Sequence, residues 1–149
     1  MRVQGFLGWV ARLVLRLALA ITLLSAVADR FGIWGASGAT NVAWGDWSHF
    51  VAYTAKVNSF LPQGLAPTLA VMATAAETVL GLALILGVYP RLVAWAATAL
   101  FGLFAVTMTV SFGIKAPLNF SVFVDAAAAF VLATWPRTLK SKSDPLKTQ

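Results

Sequence analysis

Hydrophobic positions fall into four long runs separated by short polar, glycine or proline punctuation. They extend from about Trp9 to Ala28, Leu65 to Val88, Leu92 to Phe112 and Leu118 to Trp135. A helix rises about 1.5 Å per residue, so a hydrocarbon core ~30 Å thick needs roughly 20 apolar residues. The first three runs meet that length and the fourth is short. Pro90 and Arg91 leave only a tight turn between the second and third, which makes them an antiparallel hairpin. Gly113 to Pro117 breaks the third from the fourth. Pro136 closes the fourth, and the polar stretch 138–149, with Lys140, Lys142, Asp144 and Lys147, is expected to be a disordered tail. The pattern predicts an all-α integral membrane four-helix bundle, residues 1–137 forming a single transmembrane domain.

The connection from Asp29 to Gly64 does not read as a solvated linker. Phe31, Trp34, Trp44, Trp47, Phe50, Tyr53, Phe60 and Leu61 make it aromatic and apolar, and tryptophan and tyrosine favour the headgroup zone of a bilayer. Asp46 or Ser48 can cap a short helix running to Asn58, with Phe50, Tyr53, Val57 and Leu61 along one face. The segment is expected to lie on the membrane as an amphipathic lid, and its length makes it a candidate wall of a site.

Lysine and arginine placement sets the orientation. Arg2, Arg12, Arg91, Arg137, Lys140, Lys142 and Lys147 flank one side, against Arg30, Lys56 and Lys115 on the other. Both termini are therefore expected inside and the tryptophan-rich segment outside. Arg2, Arg12 and Arg16 ahead of an apolar run imitate a signal peptide. A large Phe31 follows, however, and cleavage would leave an odd number of spans, so a retained first helix is expected.

Composition agrees with a membrane chain: 149 residues, 60% hydrophobic and 11% charged, with a mean hydropathy of +0.82. The net charge of +6 sits at segment ends, where anionic headgroups and topology account for it. No basic stripe with interleaved aromatics points to nucleic acid. The absence of cysteine excludes disulfides, thiol redox catalysis and thiolate metal sites in this chain.

The polar residues inside the apolar runs are the candidates for chemistry. Glu77 stands near the middle of the second run, where an ionisable side chain normally faces a partner, a cavity or a pathway. It shares a narrow helical face with Ala70, Ala73, Thr74 and Gly81, whose small side chains permit close helix approach. On the fourth run Ser121, Asp125, Ala128 and Ala129 form a similar face, and on the first Thr22, Ser25 and Asp29 align. Arg16 shares its face with Trp9 and Arg12, and reads as a headgroup anchor in preference to a buried partner of Glu77. With no cation placed beside it, Glu77 is expected to be protonated. Asp29 at the surface, then Asp125, then Glu77 would form a ladder of carboxylates descending from the outer side. The ladder is either an externally open pocket closed above by Trp34, Trp44, Trp47 and His49, or a set of separate structural hydrogen bonds. His49 alone reads as a surface residue, and no metal site is assigned.

The order Ala28-Asp29-Arg30-Phe31-Gly32-Ile33-Trp34-Gly35, then Trp44-Gly45-Asp46-Trp47, then Ala73-Thr74-Ala75-Ala76-Glu77 with Gly81, resembles the DoxX family of small bacterial four-helix membrane proteins. The stretch Gly113-Ile114-Lys115-Ala116-Pro117-Leu118-Asn119-Phe120-Ser121-Val122-Phe123 is similar to the family's final hairpin, and the likeness covers about residues 10 to 135. The resemblance implies the bacterial inner membrane and an association with quinone-linked redox chemistry. The related DoxD subunit belongs to a thiosulfate:quinone oxidoreductase, and some DoxX proteins partner with superoxide dismutase and a sulfurtransferase. Without cysteine, any sulfur chemistry would reside in the substrate or a partner.

Three functions fit these residues. One is a membrane subunit of a quinone-linked redox or oxidative-stress complex, with Glu77 as acid, Asp125 and Asp29 as its proton feed, and Trp34, Trp44, Trp47 and His49 around the ring. A second is a small transporter or channel using the same ladder, which would require a homo-oligomer to make a path of useful width. The third is a non-catalytic scaffold for partner enzymes. The lipid bilayer is a partner in all three.

Overall fold

The computed structural model describes residues 2–136; the tail expected over 138–149, with Arg137, lies outside the described residues. Its elements are helices and turns: α1 (Arg2–Arg30), α2 (Trp47–Val57), a 3-10 turn (Gln63–Leu65), α3 (Ala66–Leu86), α4 (Pro90–Phe112), α5 (Lys115–Asn119) and α6 (Val122–Thr134). α1, α3 and α4 are long and apolar enough to cross a membrane. α6, at 13 residues, rises only about 20 Å and falls short of a full crossing. The fourth run is therefore broken rather than continuous: α5 carries its start, and Ser121, in the left-handed region at φ 56°, turns the chain into α6.

α1 packs chiefly on α3, and α4 chiefly on α6; α1 with α6 and α3 with α4 close the ring. α3 and α6 thus stand diagonally opposite. Gly87, at φ 72°, ends α3, and Pro90 opens α4 at a position where its missing N–H costs nothing, giving the expected tight turn. This is the hairpin end of the molecule, and the connection from Phe31 to Gly64 covers the other, lid end. The buried face of α3 is Ala66, Ala70, Thr74, Glu77, Gly81 and Leu84, the helical stripe of small residues extended at both ends. A Cβ on Gly81 would lie 2.7 Å from Leu24 Cγ and 3.4 Å from the Ala20 carbonyl oxygen, so this glycine lets α1 and α3 approach at the contact that fixes their register.

The end of α1 departs from expectation. The helix continues past Ala28 to Arg30, where Ile33 N–H donates to Ala28 O at 3.1 Å and Gly32 N–H to Asp29 O at 3.0 Å. This is a Schellman closure with Gly32 as the left-handed residue at φ 73°. A Cβ there would sit 2.9 Å from Gly45 O, so the start of the lid is packed against the turn that leads into α2. With Gly81 opposite Ala20–Leu24, eight further residues along α1 bring Arg30 level with about residue 73 of α3. Arg30 thus lies about 10 Å below the start of α3 by helical rise. Asp29 is accordingly buried, 5% exposed, rather than at the surface.

α2 is capped as its sequence indicates. Asp46 accepts from His49 N–H at 2.9 Å, Ser48 Oγ donates to it at 2.7 Å, and Asn58 closes the helix. Phe50, Thr54 and Val57 face inward. The lid is tied to α4 where Ser111 Oγ donates to Val57 O at 2.7 Å.

Candidate functional site

Glu77 has a cation. Arg30 Nη2 lies 2.7 Å from Glu77 Oε1 and 2.6 Å from Oε2, while Nη1 donates to Thr74 Oγ1 at 2.7 Å. Thr74 Oγ passes its own proton to Ala70 O at 2.8 Å, so the hydroxyl accepts from the guanidinium with its lone pair. Both charged side chains are withdrawn from solvent, at 3% and 2% exposure. The Phe50 ring covers the guanidinium at 3.8 Å from ring centroid to Cζ, and Trp44 flanks it at 5.3 Å, within cation–π range. Arg30 Nε is buried with no hydrogen-bond partner among the described residues. The expectation that no cation lies beside Glu77 is thereby corrected: the space above the carboxyl group is filled by Arg30, which α1 carries down to it. Arg16, the alternative partner, sits at the hairpin end against Gly87.

Asp29 does not feed this centre. Its carboxylate accepts from Trp44 N–H at 2.8 Å and Ala43 N–H at 3.4 Å, pinning the end of the lid loop to α1. Adjacent residues on one helical turn thus act in opposite directions, Asp29 holding the lid and Arg30 holding α3.

The remaining expected site residues do not converge on Glu77. Asp125 is half-buried in the first turn of α6, on the helix diagonal to α3, so the close approach of the second and fourth spans does not occur. Trp34 is exposed and folds back along α1, donating Nε1–H to Ser25 O at 3.0 Å. Trp47 stacks on Phe31 with centroids 6.0 Å apart and planes 13° from parallel. His49 is exposed and its Nδ1 lies 2.7 Å from Asp46 Oδ2. Hydrogen bonds from Ser48 and from the His49 backbone and ring hold the Asp46 carboxyl well below the usual range. Burial pushes the Tyr53 phenol up. Of the four aromatic residues, only Trp44 reaches the charged pair. Thr22 is exposed, its hydroxyl returning to Ala18 O, and Ser25 is half-buried, so of the face expected for α1 Asp29 alone is buried.

Two cavities open away from the expected pocket. One, of about 630 Å³, is a lateral groove lined by Phe31, Trp47, Val71, Thr74, Ala75, Thr78 and Val79. It touches the charged centre through Thr74. The other, of about 510 Å³, lies at the hairpin end and is lined in part by Arg12 and Arg91. Sequence reasoning missed both, because each joins residues from separate helices.

A family model described as DoxX matches residues 11–113, from the start of the apolar part of α1 to the end of α4 and short of α5 and α6. No curated protein and no solved structure is a significant match.

Proposed function

The chain belongs to the DoxX family and is a small multi-pass membrane protein, and from that premise we propose that it is a membrane subunit of a quinone-linked redox complex. In this reading it resides in the bacterial inner membrane, with both chain ends cytoplasmic and the tryptophan-rich lid outside. The supporting observation is the lateral groove beside Thr74. Its residues fit a flat, lipid-soluble ring. Phe31 and Trp47 present near-parallel aromatic surfaces, Val71 and Val79 line it with aliphatic groups, and the Thr74 and Thr78 hydroxyls supply polar points.

A bound quinone would supply two-electron, two-proton redox capacity. The chain's part is to bind and orient the ring and to hold charge behind it. Thr78 Oγ donates to Thr74 O at 2.7 Å, which leaves its lone pairs free to accept from a hydroxyl in the groove. Thr74 relays the field of Arg30, and Glu77 balances that charge, so the polar wall stays fixed in an apolar surrounding. Trp44 holds the guanidinium from above, and Asp29 holds the loop that carries Trp44. Asp125, Trp34 and His49 have no place in this reading. A solute path along the carboxylates is less well supported, because Arg30 and Phe50 fill the way to Glu77.

A photoreactive ubiquinone analogue tests the proposal in native membranes. Crosslinks should map to Phe31, Trp47 and residues 71–79, and Trp47→Ala should reduce them about tenfold. Labelling confined to other helices, or unchanged in the variant, would overturn it.

A further inference from the structure

We propose that the cavity at the hairpin end is a binding site for one anionic phospholipid, its phosphate held between Arg12 and Arg91. Arg12 reaches the cavity from α1 and Arg91 from the first turn of α4, and Leu92, Trp95, Leu132 and Ala133 are among the residues that give it apolar walls. A phosphate with an attached acyl chain has this same division, charged at one end and apolar along its length. Trp95 is braced edge-on by Phe130, with centroids 5.5 Å apart and planes at 81°, so the apolar wall is built and not improvised.

Charge balance supplies the second observation. Of the described acids, Asp29, Asp46 and Asp125 are at the lid end of the molecule, and Glu77 is at the middle of α3 and already paired with Arg30. Among the described residues neither Arg12 nor Arg91 has an ion-pair partner. Arg16, one turn above Arg12, lies with Nη1 2.7 Å from the position a Cβ would take on Gly87, and its buried Nε has no hydrogen-bond partner among the described residues. Three guanidinium groups therefore gather around the α3–α4 turn with no carboxylate among the described residues there. The start of α4 adds N–H groups without intrahelical partners and the positive end of its dipole. Phosphate matches this donor set, because guanidinium forks engage its oxygens in pairs. Basic pockets between membrane helices hold anionic headgroups on the same physical grounds. Free phosphate shares the headgroup chemistry but would leave the apolar walls unused.

The site is independent of the quinone reading, being at the opposite end of the helices. Native mass spectrometry of the detergent-solubilised full chain tests it, titrating phosphatidylglycerol, phosphatidylcholine and inorganic phosphate separately. The expected result is one phosphatidylglycerol retained at least tenfold more tightly than phosphatidylcholine. Arg12→Gln/Arg91→Gln should lose that preference, and Lys115→Gln at the lid end should keep it. Leu92→Trp, which keeps both arginines but fills the cavity, should also weaken retention and covers the case of a double variant that fails to fold. Equal retention of the two lipids, an unchanged preference in both cavity variants, or full displacement by millimolar inorganic phosphate would overturn the proposal.

Discussion

Glu77→Leu and Arg30→Met are expected to be individually damaging and jointly tolerated. Each partner is about 97–98% withdrawn from solvent, so removing one leaves the other's charge buried without compensation, which costs about 3–5 kcal/mol. The two single variants should differ. A carboxylate left alone can take up a proton, whereas a guanidinium stays charged, so Glu77→Leu should be the worse of the two. Arg30→Met also forfeits the stack on Phe50 at 3.8 Å, a loss of up to about 2 kcal/mol for a desolvated cation, which narrows the gap. In the double variant the charges vanish together and Met and Leu occupy similar volumes, so stability should return to within about 2 kcal/mol of the parent. The coupling energy of the cycle then exceeds about 3 kcal/mol, at the upper limit for contacting residues. For a chain of this size about 4 kcal/mol corresponds to a fall in Tm of roughly 8–16 °C. Thermal unfolding in one detergent, followed by far-UV circular dichroism, measures all four corners of the cycle. Single variants that each lose less than 1 kcal/mol, or effects that simply add, would refute a buried, charge-compensated pair.

Three further outcomes follow from the same geometry. Thr74→Val keeps the shape but removes the oxygen that Arg30 Nη1 reaches at 2.7 Å, and should cost about 1–3 kcal/mol by the same unfolding assay; no change would mean the hydroxyl is not used. Gly32→Ala places a Cβ 2.9 Å from Gly45 O at a positive φ, and should cost about 1–2 kcal/mol, with faster proteolysis between Gly35 and Asp46 as the local readout. Asp46 has its carboxyl held below the ordinary value of 3.8, so the cap it gives α2 is fully present above that ordinary value and is lost only as pH falls through the lower, folded-state value. Amide exchange at His49 and Phe50 should therefore remain protected at pH 4.5, and Asp46→Ala should remove the protection; fraying of the parent already at pH 5 would contradict the sign.

What the sequence made legible was what repeats or acts over a few residues. Apolar run length placed α1, α3 and α4, since spanning a bilayer constrains length more than identity. Pro90, with Arg91 beside it, fixed the hairpin because proline lacks an N–H and interrupts a helix. Asp46 and Asn58 fixed the ends of α2 by short-range capping. The small-residue face of α3 was legible for the same reason, a 3.6-residue period on one helix. The break at Ser121 was not, because a serine at φ 56° carries no local mark and a continuous apolar run conceals it.

The charged centre escaped because its parts are 47 residues apart in sequence and because depth was judged from apolar length alone. Ending the first span at Ala28 set Asp29 and Arg30 in a surface loop and left Glu77 without a cation. One local signal pointed the other way. Gly32 stands two residues past Arg30, the spacing of a left-handed cap that leaves Arg30 inside the last turn of α1. Once Arg30 is helical, Gly81 decides the rest, because the contact it permits with Ala20 and Leu24 sets α1 low against α3. The lid then has to fill the space above the lowered end of α1, which is why Trp44 and Phe50 meet the guanidinium and why Asp29 turns to hold the loop. Burial of Glu77 follows from the register of two helices, and that register depends on a glycine.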